Sequence, residues 1–442
     1  MIFKRVLWLC CVFIVLAGAP PARALPSVEK RLLANGLTLL TAREHALPAV
    51  TVQILIDAGS RRDPPEQPGL ANLTAEGLLL GTSSHTAAEI HRRFEFMGTE
   101  VSVSCGRDAV VATLRTLTVH LAESMALFAD CLRQASFPPS EVRRKAETIA
   151  GTIAAEEDQP SVVARKAFMR HLYRSGPYGH PPKGRADALT RMTAEDVAGF
   201  HARFYRPEHT IVAVVGDVTP ETVSQAIADR LKGWQTGARG DAPPAVRFLQ
   251  KARTVTLDRD IAQAHIRIGH GGIARGNADF HAVTVMNHIL GGGGFASRLV
   301  QRIRVEEGLA YSVSSRFAAR RHPGSFQVVL QTRNASARRA VEIVLAEMRR
   351  IRTEPVDPAE LETAGQYLIG SFPLQLATQS GLADFLCRAA FHDLGLDYPE
   401  KYPQAIRAVS AEDVQRAAQT YLHPDRVLRV IVGNLEAAGL ED

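Results

Sequence analysis

Arg304 and Tyr311 are the residues whose types and spacing most invite chemistry, within the stretch Gly291 to Phe317, GGGGFASRLVQRIRVEEGLAYSVSSRF. A guanidinium offers five N–H donors and a phenol one O–H, so such a pair aimed from one corner can bind hydrogen-bond acceptors. The four glycines lead into an amphipathic helical pattern that stops at Gly308, and LAYSVSS follows as a strand. Arg304 is thereby predicted near the helix end and Tyr311 on the strand. The plainer reading is a helix-to-strand junction with a surface arginine and a core-edge tyrosine, and on the stretch alone the two readings stand level. A phosphate-cradling loop fits worse, because its glycines must follow a strand, whereas HAVTVMNHIL before them has a helical pattern.

The elements that must position this pair repeat along the chain. VEKRLLANGLTLLTARE reads as a hairpin turning at Asn35-Gly36, AVTVQILIDAG as a buried strand, and VSVSCGRDAVVATLRTL as a second hairpin. Gln67 to Thr82 has helical spacing with Pro68 at its start and an end near Gly81; Thr86 and Glu89 suggest a capping box for the next helix, through about Phe96. Longer helical patterns fill Val119 to Gln134 and Ser140 to Glu157. TAEDVAGFHARFYRPEHTIVAVVGDV from Thr193 aligns without gaps with SAEDVQRAAQTYLHPDRVLRVIVGNL from Ser410, at an offset of 217 residues. SFPPSEV is echoed by EPVDPAEL at an offset of 219. The chain is therefore read as two duplicated halves of α+β class with mixed α/β layers, 25–232 and 251–442, joined by a Gly/Pro/Ala-rich linker at 233–250.

Length and composition agree with two domains: 442 residues, 46% hydrophobic and 22% charged. The first 24 residues, with Lys4 and Arg5, an apolar run from Val6 to Ala17 and small residues at Ala22 and Ala24, form a secretory signal pattern too short to span a membrane. Cleavage after Ala24 and a periplasmic or otherwise exported protein without stable membrane insertion are expected. The formal charge of +6 falls to +3 without the leader, which does not argue for nucleic acid, and the basic clusters at Arg316 to Arg321 and Arg349 to Arg352 read as solvated faces. Cys105, Cys131 and Cys387 are too few and too far apart for a zinc knuckle or a disulfide framework, though one bridge is possible.

With these halves, with RRDPPEQPGLANLTAEGLLLGT and with the stretch at Gly291, the chain resembles the pitrilysin/insulinase family of zinc metallopeptidases over essentially its whole mature length. The resemblance implies a clamshell of two α/β halves and, in the first half, a helix-borne H-x-x-E-H in which two imidazoles share a zinc and the Glu acts on its water. Here the matching positions hold Asn72, Ala75 and Glu76. Asn is a poor zinc ligand, Ala removes the general base, and one carboxylate does not hold zinc alone, so a polar helix surface facing the cleft is expected there. The family's distal Glu ligand would fall among Glu147, Glu156 and Glu157. Elsewhere His85 and His91 flank Glu89 on different sides of a helix, His265 and His270 fall on opposite faces of a strand, and His180 lies in a Pro/Gly loop as an architectural residue.

The second-half signature is intact. By resemblance, Arg304 and Tyr311 would bind substrate backbone and help polarise the scissile carbonyl, a role suited to groups that donate to a developing oxyanion. In two-chain members of the family one subunit carries zinc and the other the Arg/Tyr pair. The resemblance therefore implies a substrate-binding subunit that is inactive alone, has no cofactor of its own, and works on peptides with a homologous zinc-bearing partner. The alternative is a catalytically dead binding or scaffold protein of the same fold.

Overall fold

A computed structural model describes residues 26–174, 176–231, 233–237 and 244–440. The expected leader at 1–24 and the centre of the expected linker lie outside the described residues. In the first half the order is β1 (Val28–Leu32), β2 (Thr38–Arg43), β3 (Ala49–Ile56), α1 (Leu70–Gly77), α2 (Ala87–Phe96), β4 (Glu100–Cys105), β5 (Val110–Leu117), α3 (Leu121–Arg133), α4 (Pro139–Ala155), α5 (Pro160–Tyr173), α6 (Ala194–Phe204), β6 (Thr210–Gly216) and α7 (Pro220–Leu231). The second half follows with β7 (Arg253–Asp258), β8 (Gln263–Gly271), α8 (Phe280–Asn287), β9 (Ala310–Ala318), β10 (Ser325–Arg333), α9 (Ala337–Thr353), α10 (Pro358–Ser371), α11 (Gln379–Phe391), α12 (Tyr398–Arg407), α13 (Ala411–Tyr421) and β11 (Leu428–Gly433).

The duplication is visible in both sheets. Their strand orders, β1-β2-β6-β3-β5-β4 and β7-β11-β8-β10-β9, match once the extra edge strand β1 is set aside, with β2/β6 and β7/β11 as the parallel pairs. The matching α6 and α13 both start from a capping box, Thr193 with Asp196 and Ser410 with Asp413, in which hydroxyl and carboxylate satisfy each other's backbone N–H. The predicted box of Thr86 and Glu89 is present as well. One prediction needs correction: the helix expected over Gln67 to Thr82 spans only Leu70–Gly77. Gly69, at φ +106°, sits in the left-handed region, and the buried Asp63 carboxylate takes the N–H groups of Gly69 and Ala71 at 2.8 and 2.7 Å, fixing a late start.

Each sheet packs its own half's helices on one face and a helix borrowed from the other half on the opposite face. α11 lays Leu382, Leu386, Cys387 and Phe391 on Leu40, Leu55, Ala213 and Val215 of the first sheet. Its duplicate α5, 219 residues earlier, lays Val163, Phe168 and Leu172 on Leu428, Val430 and Val432 of the second. The end of the expected linker joins that second layer, where Leu249 N donates to Leu172 O at 2.9 Å and the Phe248 ring lies 5.3 Å from Tyr173. Polar contacts register the exchange: Gln379 Nε2 donates to Ala49 O at 3.2 Å, and Asp108, at the β4–β5 tip, accepts from Arg321 N of the β9–β10 tip at 3.2 Å.

Burying a leucine side chain contributes about 1.5–3 kcal/mol, so the exchanged helices couple the halves strongly. Leu386 is 1% exposed. Leu386→Ala is expected to cost about 2–5 kcal/mol, read as a lowered melting temperature in scanning calorimetry with the halves still unfolding together.

Candidate functional site

The Gly291 corner is built by close packing. A Cβ on Gly291 would stand 2.7 Å from Ser315 Oγ, one on Gly292 2.7 Å from Asn287 Nδ2, and one on Gly293 2.8 Å from His288 Nε2. The glycines thus let the backbone press against α8 and β9. The helix expected between them and Gly308 is mostly not α: Arg298–Val300 is a single short α segment, and Gln301–Glu306 widens into a π-turn in which Glu307 N reaches back to Arg302 O at 3.2 Å. Gly308, at φ +60°, then turns the chain into β9.

A β-bulge aims the tyrosine. On β9 Ala310 pairs with Thr332 and Ser312 with Gln331, leaving Tyr311 as the extra residue. Tyr311 and Ser312 are consequently both exposed, and Tyr311 is 83% exposed instead of lying at a core edge. The Arg304 guanidinium stands 4.6 Å from the centroid of the Tyr311 ring and 4.6 Å from that of Phe295, itself 64% exposed. Two cation–π contacts thereby hold the arginine in place while leaving its N–H edges able to donate. Arg304 and Tyr311 are brought together as the sequence predicts. Phe295 was not foreseen, although an aromatic directly after four glycines is a signal.

The degenerate helix is less open than expected. Asn72 is 6% exposed and Ala75 fully buried, so only Glu76 offers a partly accessible polar group. Asn72 Nδ2 donates to Glu76 Oε1 at 3.0 Å, and Glu76 Oε2 lies 3.4 Å from Lys145 Nζ on α4. This set does not fit a zinc ion: the one carboxylate is shared by an amide and an ammonium, and a metal beside it would face a like charge. Lys145 could not be singled out from its sequence context. Glu156 is held by Lys166 and Lys183 and Glu157 by Lys166, while Glu147 is exposed on α4. Among the described residues no group of three or more His, Cys, Asp or Glu side chains gathers as a metal set.

The remaining candidates have local partners. His180 Nε2 bonds Asp63 Oδ2 at 2.9 Å, helping to hold the carboxylate that starts α1, while burial pushes the Asp63 pKa up. His85 precedes the Thr86 cap and contacts Arg93 at 2.7 Å. Cys105, Cys131 and Cys387 are all free thiols, so the bridge left open by the sequence is not formed. No helix among the described residues is long and apolar enough to cross a membrane.

Comparison with known proteins agrees with this architecture. Residues 38–183 match the family model described as Insulinase (Peptidase family M16), and residues 191–368 match the one described as Peptidase M16 inactive domain. A crystal structure described as a peptidase M16 inactive domain from Pseudomonas fluorescens is 26% identical, with a TM-score of 0.86 over 92% of this chain and 98% of that one. A protease from Helicobacter pylori, 21% identical, shares the fold with a TM-score of 0.85 over 92% and 100% of the two chains. An uncharacterized zinc protease of Streptomyces coelicolor is 27% identical over 416 residues, 92% of this chain and 89% of that protein. Duplicated α/β halves of this kind define an insulinase-like metallopeptidase fold. The chain belongs to the pitrilysin/insulinase family, and its second match is to the inactive-type domain.

His270, on β8 with His265, is 3% exposed. Its Nε2 must accept from His423 N at 3.1 Å, which leaves Nδ1–H to donate to Gly271 O at 2.7 Å, so the neutral ring is fully used. Burial pushes its pKa from 6.5 down to about 3. The folded value lies below the unfolded one, so the neutral ring's contribution is whole above the unfolded pKa and is lost as pH falls toward the folded one. Between about pH 6.5 and about 3 stability should drop by about 1.4 kcal/mol per unit from this group. Urea unfolding across that range should show a shallower acid dependence for His270→Gln.

Proposed function

We propose that the chain is the exported, substrate-binding subunit of a two-chain zinc metalloendopeptidase, inactive alone and completed by a homologous zinc-bearing partner. The metal chemistry in this reading belongs to the partner. Arg304 and Tyr311 hold the peptide backbone, and their N–H and O–H groups donate to the scissile carbonyl as negative charge develops on its oxygen. The substrate is an extended peptide, and an open edge such as β4 or β9 can take it as an added strand. Export rests on the leader pattern of residues 1–24.

One observation carries the reading: the corner is kept and aimed outward while the metal helix is filled in. An arginine poised between two exposed aromatic rings does nothing for the core, whereas Asn72, Glu76 and Lys145 form a closed set of contacts beside the buried Ala75. That closed set also favours a second reading, a binding or scaffold protein with no part in catalysis. The bulged, 83% exposed Tyr311 weighs against it.

Mixing this chain with the zinc-bearing homologue and assaying peptide cleavage separates the two. Arg304→Ala with Tyr311→Phe is expected to lower kcat by about 10²–10³ in the mixed complex while co-purification is unchanged. Full retained activity would leave the scaffold reading. Metal analysis of the purified chain alone is expected to find zinc well below one per chain; stoichiometric zinc with peptidase activity from this chain alone would overturn both.

A further inference from the structure

The duplicated frame provides an internal control for charge. Under the exchanged helix α11, Gln53 of β3 donates to Asp384 at 3.1 Å, and Asp384 is itself paired with Arg388. The matching positions in the other half are Arg267 and Arg165. Gln53 stands opposite Ala213 of β6 as Arg267 stands opposite Val430 of β11, and Asp384 and Arg165 are separated by the same 219 residues as their helices. An amide–carboxylate contact in one half is thus replaced by two guanidinium groups in the other.

Further positive charge converges there, and the segment read from sequence as a solvated basic face is partly buried. Arg107, 7% exposed, reaches the carbonyls of Tyr178 and His180 at 2.6 and 2.7 Å. Burial, then the charges of Arg320 and Arg165, push its pKa down to about 10; burial and then Arg165 do the same to Arg267. The Nε atoms of Arg267 and Arg320 are buried without an acceptor. Nearby acids are committed elsewhere, Glu156 and Glu157 to Lys166 and Asp108 to Tyr178 and Arg61. Among the described residues none of Arg107, Arg165, Arg267 and Arg320 forms an ion pair, and guanidinium groups without a carboxylate partner favour an anion.

The cluster continues onto the strand that carries the tyrosine. Arg267 Nη1 donates to Gln327 Oε1 at 2.9 Å, and Gln327 pairs across the ladder with the exposed Arg316 of β9. Tyr311, Ser312, Ser314 and Arg316 are all exposed on this edge strand. At about 3.3 Å per residue, Arg316 lies about 15 Å along β9 from Tyr311.

We propose that Arg165, Arg267 and Arg316 form a subsite for the carboxylates of an acidic peptide segment. The segment lies along β9, about four or five residues from the carbonyl held at Arg304 and Tyr311. The subsite rests on the peptide-binding reading above and adds a substrate class to it. A peptide fits better than a free anion because an open strand edge and backbone-binding donors continue the same surface.

The test uses the full chain and two fluorescein-labelled peptides of one sequence, differing only by Glu or Gln across a short segment, with affinities read by anisotropy. The Glu peptide is expected to bind about tenfold more tightly, as one or two charge-assisted hydrogen bonds allow, with the advantage shrinking as salt is raised. Arg165→Ala with Arg316→Ala, both at exposed positions, should abolish that ratio without altering the Gln peptide's affinity or the melting temperature. Equal affinities for the two peptides, or an unchanged ratio in the variant, overturns the subsite. If the mixed complex still cleaves the Gln peptide, the subunit reading survives that failure; binding of neither peptide overturns the subsite, and cleavage of neither by the mixed complex overturns the subunit reading.

Discussion

The structure depends on the exchange of one helix between halves. Each sheet would expose an apolar face, Leu40, Leu55 and Val215 in one and Val430 and Val432 in the other, if its own half had to cover both sides. Lending α5 one way and α11 the other buries both faces with a single duplicated element. The halves cannot then separate without exposing two apolar layers, and Asp108, Arg321 and Gln379 set their register with directional bonds. The Gly291 corner is consequently presented from a fixed frame.

Conservative use of one frame for two charge patterns follows from the duplication. The sheets share strand order and capping chemistry, yet the residues beneath the exchanged helices differ, Gln53 with Asp384 on one side and Arg267 with Arg165 on the other. The same division separates the metal helix from the corner. On α1 the buried Asn72 amide is satisfied by Glu76, which also pairs with Lys145, while on β9 a bulge turns Tyr311 outward. The first arrangement occupies a surface and the second leaves one open.

Much of this was legible in the sequence. The Asn35-Gly36 turn, the capping boxes at Thr86, Thr193 and Ser410 and the strands ending at Gly216 and Gly433 fall where local chemistry puts them. The proximity of Arg304 and Tyr311 was likewise predicted. The start of α1 falls later than its spacing predicts because Asp63 and His180, distant in sequence from one another, decide it. The bulge at Tyr311 depends on the register with β10, the π-turn under Arg304 on packing against the glycines, and the helix exchange on tertiary contacts that hydrophobic periodicity does not encode. Lys145, and the meeting of Arg165 and Arg267 with the basic run at Arg316 to Arg321, are not legible in sequence for the same reason: each partner set is assembled from separate elements.

In the proposed reading one active site is divided between two chains, this one supplying Arg304 and Tyr311. Titrating a fixed amount of the zinc-bearing homologue with this chain, and following peptide cleavage, tests it most directly. A shared site predicts activity that rises from near zero and reaches a plateau at one chain of each kind. A homologue fully active alone, and unchanged by any amount of this chain, would contradict it.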